Sequence, residues 1–496
     1  MSSVLPALPK PRLSRPAWLS PTVARTEVLA GLVVALALIP EAISFSILAG
    51  VDPRVGLFSS FVMAVVIACT GGRPAMITAA TGAIALVVAP LARDHGLEYL
   101  LAAVILGGVF QVLLATAGVA RLMRFIPRSV MVGFVNALAI LIASAQLPHL
   151  IGVPWLVYPL VAAGLVIIFA LPKLTTVVPA PLVSILVLTG LTVAAGFAIP
   201  NVGDQGELPD SLPFFALPDV PFTLETLTTI APYALGIAFV GLMESLMTAK
   251  LVDDLTDTHS NKTRESWGQG VANVASGFFG GMGGCAMIGQ TMINVKSGAR
   301  TRLSTFLAGA FLLVLVVALG DIVAVIPMAA LVAVMIFVSI ATFDWHSLRT
   351  IHRMPKSETA VMLTTVAGTL LTHNLAIGVG AGVLVACVLF ARRVAHLAAV
   401  TSVTDPDGGT RVYSVHGALF FASSNDLYTQ FDYANDPDHV VIDLSNAHVW
   451  DASTVAALDA ITHKYATRGK TVEIVGLTGH SADRFERHTG QLAGAH

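Results

Sequence analysis

Apolar runs of about 18 residues or more recur between residues 27 and 395, separated by short polar, glycine or proline breaks. Runs of that length predict helices that cross a bilayer. The pattern gives segments near 27–50, 54–71, 78–93, 98–118, 129–148, 155–171 and 180–199. After a break it resumes at 226–252, 264–281, 286–298, 303–320, 322–342, 357–373 and 375–395. Two of these, the third and the tenth, are short and rich in small residues: TAATGAIA (78–85) and CAMIGQTM (285–292). The expected fold is thus a polytopic α-helical membrane protein of about 14 segments, seven plus seven.

Past residue 400 the pattern changes. RVYSVHGALFFAS alternates as strands do, HVVIDLS and KTVEIVGL read as short buried strands, and Asn425–Gln430, Ser453–Arg468 and Ala482–Arg487 read as helices. This predicts a small cytoplasmic α/β domain over 405–490. The remaining divisions are a cytoplasmic tail (1–26), a first membrane repeat (27–200), an extracellular loop (201–225) and a second repeat (226–398). The first apolar run is too long for a signal-peptide core and reads as an uncleaved first helix.

Composition agrees. Of 496 residues, 55% are hydrophobic and 12% charged, and the mean hydropathy is +0.80. Soluble domains carry about twice that charge fraction. The net charge of -2 points to no partner, and no basic patch interleaved with aromatics suggests nucleic acid. Placing the N-terminus inside puts most basic residues in inside loops, among them Arg73, Arg121, Arg124, Arg128, Lys262 and Arg264. Only Arg54 and Arg93 fall outside, with the acidic, proline-rich loop 201–225. An even segment count then returns the C-terminus to the cytoplasm. Cys69, Cys285 and Cys387 lie in separate apolar segments, without metal or disulfide spacing, and read as small core residues.

The halves correspond faintly. GLVVALALIPEAI carries Pro40 and Glu41 inside the opening helix, and LGIAFVGLMESLM carries Glu244 and Ser245. Seven segments per half would invert one repeat relative to the other, pointing two half-helix amino ends at each other near the midplane. Such ends leave N–H groups unpartnered and positive, which makes an anion site without a charged side chain. Ala79, Ala80, Thr81, Gly82 and Gly289 would let a solute reach the backbone; the alternative is that small residues are helix-packing contacts. A carboxylate inside a span must be protonated, paired or wet, so Glu41 and Glu244 are candidates for carrying a proton or cation, or else hydrogen-bonded structural acids. Lys296, Arg300 and Arg302 are explained by the charge asymmetry, and Gly378, Gly380 and Gly382 form no nucleotide loop. No nucleophile–base pair suggests an enzyme, and no bound cofactor is expected.

At the level of motifs the chain resembles the SulP, or solute carrier family 26, anion transporters. GLVVALALIPEAISFSILAGVDPRVGLFSS is similar to their first-span signature, and GLMESLMTAKLVDD, GQGVANVASGFFGG and NVKSGARTRLS to second-half motifs. IDLSNAHVWDAST is similar to part of their STAS domain. The resemblance implies two inverted repeats, a core domain moving against a gate domain, and a site between the third and tenth segments. It assigns Glu41, Phe45, Ala80, Thr81, Gly82, Ala286, Gly289 and Gln290 to substrate binding, with Glu244 as the proton-coupling group. Gln290 stands where the family often has Arg, and Glu41 where it usually has Gln, which makes a co-transported cation more necessary. Ser453 matches a regulatory phosphoserine of soluble relatives, although as a residue it reads as the N-cap of the next helix. The expected function is secondary active symport of a small anion, with a C4-dicarboxylate favoured over sulfate or bicarbonate. A proton is the expected coupling ion and sodium the alternative. A homodimer in a bacterial inner membrane is expected. A nucleobase symporter of the same fold and a passive anion channel are the competing readings.

Overall fold

A computed structural model describes residues 20–118, 126–174, 179–372, 374–395 and 399–489. Most of the expected tail, residues 1–19, and the expectations for Arg121 and Arg124 lie outside the described residues. The chain divides into two compact units, Met1–Gly382 and Val383–His496.

The first half runs α1 (Pro21–Ala49), α2 (Pro53–Thr70), β1 (Thr78–Ala79), α3 (Gly82–His95), α4 (Leu97–Thr116), α5 (Arg128–Ser144), α6 (Val157–Leu174) and α7 (Ala180–Ala195). The second begins α8 (Leu224–Thr256), α9 (Lys262–Phe278), β2 (Cys285–Ala286), α10 (Ile288–Lys296) and α11 (Arg302–Ala318). It ends α12 (Gly320–Ala324), α13 (Met328–Thr342), α14 (Trp345–Thr350), α15 (Lys356–Thr372) and α16 (Leu375–Ala395). The same order, two long helices and then a strand leading into a shortened helix, opens both halves. Among the described residues, seven helices are long and apolar enough to cross a membrane. At 1.5 Å per residue, α3 with 14 residues and α10 with nine fall well short of a roughly 30 Å hydrocarbon layer.

α1–α4 pack with α8–α11 into one sub-bundle, and α5–α7 pack with α13 and α15 into a second. Gly31 of α1 makes the first possible: a Cβ there would lie 2.9 Å from the Ser304 carbonyl oxygen of α11. The GxGxG of α16 is likewise a packing stripe, since a Cβ at Gly378 or Gly382 would collide with Thr369 or Thr365 of α15, whereas Gly380 faces open space. Loop 201–225 is tied back onto the membrane part. Ala216 N–H donates to the Phe278 carbonyl (2.8 Å), and Asp219 N–H to Glu98 (2.9 Å).

The segment expected over 322–342 is two helices, because Pro327 cannot donate a backbone hydrogen bond and the helix restarts at Met328. Of the three cysteines only Cys285 is buried; Cys69 and Cys387 are exposed. The helix expected at Asn425–Gln430 begins earlier, as α17 (Phe421–Leu427) followed by a 3-10 turn to Gln430. There the Ser423 hydroxyl accepts from Phe420 N–H (2.9 Å) and ends the preceding strand.

In the second unit, β3 (Ala399–Thr404), β4 (Thr410–Leu419), β5 (His439–Val449) and β6 (Thr471–Val475) form one sheet in that order. The β3–β4 pair is antiparallel, and β4–β5 and β5–β6 are parallel. α17, α18 (Ala452–Ala466) and α19 (Gly479–His488) complete the unit. Asp436 is buried beneath them. It accepts from Tyr413 (2.8 Å), from Tyr465 and from Arg411 (3.0 Å). The N-cap of α18 is Asp451, not Ser453: Asp451 accepts from the Thr454 backbone and hydroxyl, both at 3.0 Å, and Ser453 is exposed in the first turn.

Candidate functional site

The site is built where the two shortened helices begin. β1 and β2 pair antiparallel, Thr78 with Ala286 and Ala79 with Cys285. Each strand turns at once into a helix, so the amino ends of α3 and α10 start from the same two-stranded crossing. Gly284 permits it, since a Cβ at that position would lie 1.9 Å from the Ala79 carbonyl oxygen. Two residues one turn apart on α9 hold this glycine run. Asn273 accepts from Gly284 N–H (2.9 Å) and donates to its carbonyl (3.1 Å). The Ser276 hydroxyl accepts from Gly283 N–H (3.3 Å). These clamps carry no charge and no metal-type spacing; their signal in the sequence was polar residues at i and i+3 on an otherwise small-residue helix.

Between the two sub-bundles lies a cavity of about 480 Å³. Glu41, Phe45, Thr81, Gly82, Glu244, Gly289 and Gln290 line it, with Phe134, Leu138, Ile142 and Phe337 on the opposite wall. Seven of the nine residues expected at the site therefore meet at one cavity. Ala80 and Ala286 do not line it. Both are buried, Ala286 within β2 and Ala80 just after β1, and their N–H groups are already used, by the Ser60 hydroxyl (3.3 Å) and the Ser245 hydroxyl (3.1 Å). Hydroxyls from α2 and α8 thus hold these two positions on the side away from the opening.

Thr81 is the N-cap of α3, and its hydroxyl accepts weakly from Ile84 N–H (3.4 Å). α10 has no side-chain cap at all, which leaves its first amides open toward the cavity. Gly289 sits there with nothing within 4 Å of where a Cβ would be. Each cavity carboxylate accepts one side-chain hydrogen bond: Glu41 from Gln290 (2.8 Å), Glu244 from the Cys285 thiol (2.9 Å). The thiol also stands 3.2 Å from the Thr81 hydroxyl.

Two further buried carboxylates, which sequence reasoning passed over, are already saturated. Glu27 accepts from the N–H groups of Arg300 (2.7 Å), Thr301 (2.9 Å) and Ser304 (3.1 Å), at the start of α11. Glu265 accepts from the N–H groups of Gly72 (2.7 Å) and Arg73 (2.9 Å) and from Gln269 (2.8 Å). The basic residues after α10 serve helix ends. Arg300 donates to the carbonyls of Val295 (2.8 Å) and Ala299 (2.6 Å), and Arg302 to that of Gly71 (2.5 Å).

A second cavity of about 510 Å³ lies along the same interface, lined among others by Ser44, Leu86, Arg93, Gln146 and His149. No residue is shared by the two linings.

Residues 25–159 and 155–365 match the Sulfate permease family, and residues 402–489 match the STAS domain. YbaR of Bacillus subtilis, named as a candidate sulfate transporter, is 54% identical over 453 residues, which is 91% of this chain and 94% of that protein. The bicarbonate transporter BicA of Picosynechococcus sp. is 25% identical over 516 residues, 93% of this chain and 90% of its own. The solved transmembrane domain of a cyanobacterial BicA superposes with a TM-score of 0.64 at 25% identity, covering 73% of this chain and 97% of that one. Murine Slc26a9 shares the fold at 16% identity, with a TM-score of 0.80 over 95% of this chain and 89% of that one. Facing half-helices, a cavity between two sub-bundles and these matches converge: the chain belongs to the sulfate permease family of multi-pass membrane anion transporters, and its carboxy-terminal part is a STAS domain.

Proposed function

We propose that the protein is a proton-coupled symporter of a small anion, working by alternating access. The observation that carries this reading is the pairing of two unsaturated carboxylates, Glu41 and Glu244, with the open amino end of α10 in one cavity. Backbone dipoles attract the anion, and two ionised acids beside it would repel it. Adding a proton to Glu244 removes half of that repulsion and ties anion binding to proton uptake. Gln290 supplies no fixed positive charge, so the proton takes over a task that an arginine would otherwise perform. Movement of the α1–α4/α8–α11 sub-bundle against the other would then carry both ions from one side to the other, between the two cavities.

A C4-dicarboxylate is the first substrate to test, because about 480 Å³ is ample for a four-carbon diacid and generous for a single oxyanion. The names of the relatives make sulfate and bicarbonate its competitors. The setting we propose is a bacterial inner membrane, with both termini cytoplasmic and the protein homodimeric. Ser453, exposed in the first turn of α18, is the proposed regulatory position, since a helix amino end accommodates a phosphate. Purified protein in liposomes, given succinate, sulfate and bicarbonate in turn, should accumulate one of them when the outside is acidified. Accumulation that ignores the pH gradient would rule out proton coupling, and steady conductance without accumulation would make the protein a channel.

A further inference from the structure

Glu244, proposed to take the proton, and Thr81, at the amino end of α3 on the same cavity as the open end of α10, are bridged by Cys285. It lies in β2, paired with Ala79 of β1, with its thiol 2.9 Å from Glu244 of α8 and 3.2 Å from Thr81, the N-cap of α3. Cys285 is fully buried, whereas Glu244 and Thr81 both line the cavity. Among the described residues lining that cavity, Glu41 of α1 and Glu244 are the titratable ones; no Asp, His, Lys or Arg lines it from α3, α5, α10 or α13.

A thiol has one hydrogen to give, and the direction of the chain follows from that. An ionised Glu244 can only accept, so the S–H points to its Oε2. The sulfur is then left to accept from the Thr81 hydroxyl, and the Thr81 oxygen accepts from Ile84 N–H. Every donor runs toward Glu244, and the Thr81 hydrogen is turned away from the cavity. When Glu244 is protonated its new O–H can donate to the sulfur. The S–H then turns to the Thr81 oxygen, and the Thr81 hydrogen is released toward the cavity. Each group keeps its own hydrogen, and the net change is the one proton added to Glu244.

We propose that Cys285 is the positioning residue that couples the two ions: its single hydrogen reverses direction so that proton uptake at Glu244 hands the Thr81 hydroxyl to the anion. The inference rests on the proton-coupled reading of Glu244, and the test keeps the two apart. Infrared spectra of the full-length protein in liposomes are titrated with pH. The S–H band lost in Cys285→Ala should shift in step with the carboxyl band lost in Glu244→Gln. A Cys285 band that stays fixed while that carboxyl band titrates would overturn the proposal, and this arm needs no substrate. In proton-driven succinate uptake, Cys285→Ser, which also has one hydrogen to give, should keep the gradient dependence, and Cys285→Ala should lose it at least tenfold at matched protein level. Uptake by Cys285→Ala reduced equally at all pH values would mean a packing role and also defeat the proposal. Full gradient-driven uptake by Glu244→Gln would instead remove the underlying proton reading.

Discussion

Glu27, Glu41, Glu244 and Glu265 are one residue type in four apolar settings, and their neighbours separate them. Glu27 and Glu265 have three donors each, most of them backbone N–H groups, so their charge is spent on holding loops. Glu41 and Glu244 have one side-chain donor each and a cavity beside them. Glu244→Gln should therefore bind anion but no longer accumulate it against its gradient, which uptake under an imposed pH difference measures. The glycines divide in the same way. Gly289→Ala adds a methyl to open space and should fold normally while raising the half-saturating substrate concentration several-fold in a flux assay. Gly284→Ala drives a Cβ into the Ala79 carbonyl and should cost more than the about 1–3 kcal/mol of ordinary overpacking, seen as loss of folded protein on size exclusion.

At the scale of elements, α3 and α10 are too short to be stable by themselves and are held by polar clamps from their neighbours. Asn294 of α10 donates to the Ala75 carbonyl (2.8 Å), and the Thr291 hydroxyl accepts from Ile77 N–H (3.0 Å), stitching α10 to the segment that leads into β1. Glu265 fixes the loop that leads into β1. Hydrogen bonds to a charged group contribute about 1.5–3 kcal/mol each, so Glu265→Ala should lower the thermal unfolding midpoint of the detergent-solubilised protein by several degrees. Within the STAS domain the Asp436 carboxylate has two tyrosines and an arginine on it. Asp436→Asn takes the charge from a buried acceptor that two tyrosines and the partly exposed Arg411 share, and should destabilise that unit by about 1.5–3 kcal/mol, while anion binding to the membrane part is unchanged.

At the scale of the whole molecule, the end of the membrane bundle bearing loop 201–225 is acidic, and its arginines are not equivalent. Arg54 is paired with Asp52 (3.7 Å) and Glu207, whereas Arg93 lines the second cavity without a carboxylate partner among the described residues. Arg93→Gln should raise the half-saturating anion concentration at low ionic strength and have little effect at high salt, as a screened steering charge does. The segment pattern, the two short spans, the change to an α/β domain after residue 400 and the acids Glu41 and Glu244 were all legible in the chain, because hydrophobic run length and an isolated charge in an apolar run are local properties. The split of the twelfth segment is also local, written in Pro327, which apolar run length alone does not register. What local pattern could not decide was which small residues face the opening and which face a partner strand. Ala80 and Ala286 look like Gly82 and Gly289 in one dimension, yet the first pair is buried against Ser60 and Ser245 and the second lines the cavity. Nor could it tell a saturated buried acid from an open one, or bring Cys285 within reach of both Glu244 and Thr81, because those partners arrive from helices 41 and 204 residues away in the chain. Burial follows from residue type, whereas hydrogen-bond partnership across an interior follows from how distant segments cross.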